Sequence, residues 1–199
     1  MLAILLARGL HRTAGLDHEC RAYTIERSIG VPHMPLILTE DNPLAASEII
    51  TQTRKGNPIA NAQASLITIA DKKDAGDRRA RWPTARIRGN EVVPHYNCHG
   101  LTFASRRTAV EDSAEVRKII GEDGYTEVVG GDVLPGDVIL YVSPEDGDVE
   151  HSGIIVALGV APLYIPMVVS KWGKGFEVVH AANYCPYTFG HAKYYRIKE

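Results

Sequence analysis

The stretch LPGDVILYVSPEDGDVEHSGIIV, residues 134–156, holds two apolar runs separated by an acidic segment rich in turn-forming residues. Pro135-Gly136-Asp137 ends one element and opens the first run, 138–142; the second run, 152–158, follows His151. Both are short and rich in β-branched residues, so they read as strands joined by the acidic loop 144–150. A histidine where such a loop enters a strand is held by the sheet yet open to solvent. That combination suits a general base with a pKa near working pH.

Outward from this hairpin, three more strand-like runs follow at 167–172, 176–181 and 193–197, with Gly, Pro, Asp or Asn between them. Upstream, residues 98–106 have helical character. Thr108 to Glu111 fits a capping box, and Val116, Ile119 and Ile120 share one face of a helix ending at Gly121. Helices followed by consecutive short strands predict an α+β fold with an antiparallel sheet of about five strands.

The segment Tyr96-Asn97-Cys98-His99-Gly100 puts a thiol at the start of the first of these helices. Unpaired backbone N–H groups and the positive end of the helix favour the thiolate, which is the nucleophile. The same N–H groups can bind the oxyanion of a tetrahedral intermediate. His151 lies 53 residues further on, so a Cys98–His151 dyad is a tertiary pairing. A third polar residue would orient the imidazole. Ser170 lies on the run expected beside the His151 strand, and His180, on the next run, is chemically the better partner; both stand as candidates. Tyr96 or His95 is placed to assist the oxyanion site or to pack. His99 is expected to point away from the active face.

This ordered set, Cys98, then Leu134-Pro135-Gly136-Asp137-Val138-Ile139, then His151-Ser152-Gly153-Ile154-Ile155-Val156, then a polar position, resembles the NlpC-type and CHAP-type cysteine peptidases and amidases. The resemblance covers residues 94–199. It implies a papain-like α+β core in which a helix bearing the cysteine at its N-terminus packs on the sheet. It also implies amide hydrolysis through a thioester, often of cell-wall peptides such as peptidoglycan, with Cys98 as nucleophile, His151 as base, and no metal or organic cofactor. The third position implied by the resemblance falls on the 167–173 strand and favours Ser170. That is a departure, since the family more often has His, Asn, Asp or Glu there, and Asn-Cys-His-Gly departs from its usual helix opening. Two other readings compete: a thioester-forming acyltransferase or transglutaminase-like enzyme, and a catalytically silent effector or binding module with a delivery or immunity partner.

The remainder of the chain sets the bounds. At 199 residues, 45% apolar and 23% charged, it has the balance of one ordinary globular domain. A net charge of −2 gives no argument for nucleic acid or an anionic membrane as partner. Three widely spaced cysteines, Cys20, Cys98 and Cys185, form a poor disulfide framework. His95, Cys98, His99, His151, His180 and Cys185 include zinc-ligand types, but no Cys-x-x-Cys pair anchors them, so no metal is expected. The apolar run 1–7 precedes Arg8 and lacks a cleavage site, and no stretch approaches about 20 apolar residues. A cytoplasmic location is therefore the default, with export lacking a cleaved signal as the alternative. Residues 1–91 are expected to form an accessory region before a 92–199 core. Within it a helix is predicted at 44–55, capped by Asn42-Pro43 and stopped at Gly56, and a strand at 66–69. The basic segment 71–91, with seven Lys/Arg against four acidic residues, reads as a solvated linker.

Overall fold

The computed structural model describes residues 47–89, 91–129, 131–187 and 191–198. The expectations placed on 1–7, Cys20 and Asn42-Pro43 lie outside the described residues. The elements are α1 (Ile69–Arg81), β1 (Arg86–Arg88), α2 (Cys98–Phe103), α3 (Ser113–Glu122), β2 (Tyr125–Val128), β3 (Val138–Val142), β4 (Val149–Leu158), β5 (Pro166–Lys171), β6 (Glu177–Ala181) and β7 (His191–Ile197). The fold is α+β. Its strands form one antiparallel sheet in the order β1-β6-β5-β4-β3-β7-β2.

Among the described residues the sheet has seven strands, against an expectation of about five. The two additions are its edges. Arg86–Arg88 and Tyr125–Val128 are three and four residues long and largely polar. Only pairing with β6 and β7 makes them strands, and such pairing leaves little local imprint on sequence.

Four local expectations are overturned. The basic segment begins as a helix. Thr68 caps α1: its hydroxyl accepts from the Asp71 N–H at 3.1 Å, and the Asp71 carboxylate accepts from the Thr68 N–H at 2.9 Å. Two i,i+4 ion pairs, Lys73–Asp77 and Asp74–Arg78, run along it, and Arg78, Arg79 and Arg81 fall in its last turn. Such a helix needs almost no apolar face, and Ala75 alone is buried. The same cap removes the strand expected at 66–69. Residues 47–55 are not helical but extended, bridging Ser47 to Gln63 and Gln52 to Pro58 around a turn in which Gly56 has φ +84°. The buried Asn61 side chain stitches this hairpin together through Ile49, Thr51 and Ile59. Finally, α3 is capped by Asp112, whose carboxylate accepts from the Ala114 N–H, and not by Thr108. The Thr108 hydroxyl is buried and donates to Asn61 Oδ1 at 2.7 Å. Residues 47–89 belong to the same compact unit as the sheet.

The central strands are covered on both faces. Ile139, Tyr141, Ile155, Val168, Trp172 and Val178 form one layer, with Trp82 and Ile87 packed against it. Val138 and Leu140 pack with Val110, Val116 and Ile119 on the other, beside a smaller group of Tyr96, Leu101 and Val169. Helix α2 lies on β4 and β5. The Pro-Gly-Asp turn is fixed by Asp137, which takes a two-pronged contact from Arg196 (2.6 and 2.7 Å) and accepts from the Leu134 N–H. The strand carrying His151 is thus held at the centre of the sheet. Among the described residues no helix is long and apolar enough to cross a membrane.

Candidate active site

Cys98 is the first residue of α2, and Asn97 is its cap. The Asn97 carboxamide oxygen accepts from the Gly100 N–H at 2.8 Å and the Val110 N–H at 3.2 Å, while its amide donates to the Val110 carbonyl at 2.7 Å. One side chain therefore both starts the helix and ties it to the segment leading into α3. Gly100 has no alternative, since a Cβ there would meet the Thr108 carbonyl oxygen at 1.9 Å. The Gly100 and Leu101 N–H groups are taken up by Asn97, which leaves those of Cys98 and His99 without partners among the described residues. With six residues, α2 adds little macrodipole. The unpaired N–H groups are the relevant local positive ends.

The Cys98 carbonyl is fixed in turn by a side-chain chain. Thr102 donates to it at 2.9 Å, Ser152 bonds Thr102 at 2.9 Å, and His99 Nδ1 bonds Ser152 at 2.9 Å. His99 therefore does not turn away from the active face as expected. It is buried, lines the cavity at Cys98, and anchors α2 to β4. Burial pushes its pKa down to about 4.

His151 is completely buried, not open to solvent as its place at the mouth of a strand predicts. Its ring stacks on Tyr187 (centroids 4.0 Å apart, planes 13° apart) and leans on Tyr141 at 5.5 Å. Among the described residues neither ring nitrogen meets hydrogen-bond geometry with a partner, yet Cys98 is close enough to interact with the imidazole electrostatically. Burial pushes the His151 pKa down, and the Cys98 thiol pulls it back up.

Ser170 and His180 are brought together, but neither hydrogen-bonds His151. His180 Nε2 lies 2.8 Å from the Ser170 hydroxyl and Nδ1 lies 2.8 Å from the Ala181 carbonyl. Both are buried. Ser170 pairs with Gly153, two residues beyond His151 on β4. A side chain at Gly153 would strike Val168 at 2.4 Å and crowd Ser170 at 3.1 Å, so the glycine keeps β4 and β5 in register here. His95 is exposed and bonds the Ala64 carbonyl, while the buried Tyr96 donates to Glu177 at 2.7 Å.

Sequence reasoning missed Lys171. Its side chain is buried, with Nζ donating to the Gly175 carbonyl at 2.6 Å and lying 4.8 Å from the Tyr96 ring centroid. Burial pushes its pKa down to about 8, opposed by Glu177 and Cys98. A lysine ending a run of inward strand residues is the signal that was available. Tyr187, which covers His151, gave none; its hydroxyl accepts from Arg78 at 2.8 Å.

Cys98 opens onto a cavity of about 540 Å³ lined also by Asn97, His99, Tyr187 and several acidic side chains. Among the described residues no three His, Cys, Asp or Glu side chains are grouped to hold a metal ion. No protein-family model and no curated protein matches the chain.

Proposed function

We propose that the protein is a cysteine hydrolase with a papain-like core that cleaves amide bonds through a thioester on Cys98. The observation behind this reading is the approach of Cys98 to a fully buried His151 whose ring nitrogens have no other partner among the described residues. A neutral imidazole is ready to accept a proton. In the proposed cycle His151 takes the thiol proton and the thiolate attacks the amide carbonyl. The Cys98 and His99 N–H groups stabilise the oxyanion. The C–N bond then breaks as His151 returns the proton to the leaving amine, and water cleaves the thioester to release the acid and restore the thiol. Lys171 supports the thiolate as a buried positive charge. Ser170 and His180 act as positioning residues on the face of the sheet behind His151.

The test is digestion of purified peptidoglycan and of a peptide panel, with and without added amine acceptors, read by mass spectrometry beside Cys98→Ala. Acid products that require Cys98 are expected, and His151→Ala should lower turnover about 10²–10⁴-fold with the fold intact. Amine-captured products would point to acyl transfer. No Cys98-dependent product, together with iodoacetamide labelling at pH 6 no faster than for an ordinary thiol, sinks the enzyme reading.

A further inference from the structure

The cavity at Cys98 carries a charge pattern that thioester chemistry does not require. Among the described residues its wall includes Glu111 and Asp112, at the entry to α3, Asp146 and Asp148, from the loop between β3 and β4, and Glu150, on β4, and no lysine or arginine lines it. Arg117 reaches Asp148 at 3.3 Å, but both side chains are more than half exposed, so this pair neutralises little. Among the described residues Glu111, Asp112, Asp146 and Glu150 form no salt bridge. Asp146 is held ionised by the Asp148 N–H at 3.0 Å. Lys171, the nearby cation, is turned to the Gly175 carbonyl and the Tyr96 ring.

A second, independent feature marks the cavity as a ligand site. Cys98 and Tyr187 both line it, and against Tyr187 stacks the fully buried His151, whose ring nitrogens have no partner other than Cys98 among the described residues. The carboxylates thus surround the approach to a reactive pair. They are not gathered around a point as ligands of a metal would be.

We propose that this cleft selects cationic substrates, namely peptide segments that present lysine, arginine or a free amine beside the amide attacked by Cys98. The proposal rests on the hydrolase reading given above. Like-signed walls in a low-dielectric cleft focus the field and change encounter rates of charged ligands by about 10–10³. A cation entering the cleft relieves the repulsion among the carboxylates, whereas an anionic segment adds to it.

Charged thiol reagents test this without a known substrate. Cys98 is reacted with methanethiosulfonates bearing either a trimethylammonium or a sulfonate group; the thiolate forms a disulfide and methanesulfinate leaves. Peptide mapping separates Cys98 from Cys20 and Cys185, and rates are divided by those of 2-mercaptoethanol. At low salt the normalised cation-to-anion ratio should be about tenfold or more. It should fall towards one in 0.5 M salt and in the triple variant Asp146→Asn, Asp148→Asn, Glu150→Gln. If that variant fails to fold, the salt series on the wild type decides. A wild-type ratio of one or below at low salt overturns the proposal. Peptide cleavage that ignores lysine and arginine would also overturn it while leaving Cys98 hydrolysis standing. A strong reagent preference without any Cys98-dependent cleavage upholds the charge selection and overturns the hydrolase reading instead.

Discussion

Ser170 Oγ donates to His180 Nε2 at 2.8 Å, and the other ring nitrogen fixes the direction of that bond. Nδ1 lies 2.8 Å from the Ala181 carbonyl, which can only accept, so Nδ1 carries the ring proton and Nε2 is the acceptor. With its pKa pushed down to about 4 by burial, His180 is neutral at pH 7. The pair is therefore complete within itself and has no proton to lend to His151.

Removing His180 should leave the Ser170 hydroxyl buried and unpaired, and removing Ser170 should leave His180 Nε2 in the same state. Ser170→Ala and His180→Leu are each expected to destabilise by about 1–3 kcal/mol in urea unfolding, and the double variant by clearly less than the sum. In activity, each single change should lower kcat far less than His151→Ala, without moving the pH at which kcat/KM falls. A stable His180→Gln variant as inactive as His151→Ala would make His180 catalytic, contrary to the positioning role.

Lys171 should matter through its charge. In Lys171→Met, alkylation of Cys98 at pH 7 is expected to slow by about 3–10-fold, because a neighbouring cation favours the thiolate. Above about pH 8 the wild-type lysine itself loses its proton, so the two proteins should converge there. Stopped-flow labelling between pH 6 and 9.5 measures both effects. Equal rates throughout would remove Lys171 from the site.

Stability should fall on mild acidification. His99 and His180 have folded pKa values of about 4, below the roughly 6.5 of an unfolded histidine. The unfolded chain therefore binds more protons between those limits, so stability rises with pH across that window. The contribution is complete above about pH 6.5, declines as pH falls, and is lost by about pH 4. It amounts to on the order of 3 kcal/mol per imidazole. Urea titrations at pH 7.5, 5.5 and 4.5 should show the progressive loss, with a shallower decline in His180→Leu. A flat profile would mean that the two rings are hydrated in the folded state.

The sequence by itself determined the α+β class, the antiparallel character of the sheet, its five longest strands, and the helix that begins at Cys98. These follow from local period and punctuation: alternating or continuous apolar runs, Pro-Gly-Asp before β3, and the helical character of the residues from Cys98 onward. It also marked Cys98 and His151 as a pair to examine, though spacing alone carries no distance. Only the tertiary structure decided the rest. The edge strands β1 and β2 exist through pairing with strands far away in sequence. The α1 segment was misread because its stability lies in a cap and ion pairs, without an apolar stripe. At the site, the burial of His151 under Tyr187, the turning of His99 onto Ser152, the placement of Lys171 against Tyr96, and the gathering of carboxylates from residues 111–112 and 146–150 around Cys98 are all contacts between distant segments. Their physics is desolvation and field, which depend on what surrounds a side chain in space and leave no periodic trace along the chain.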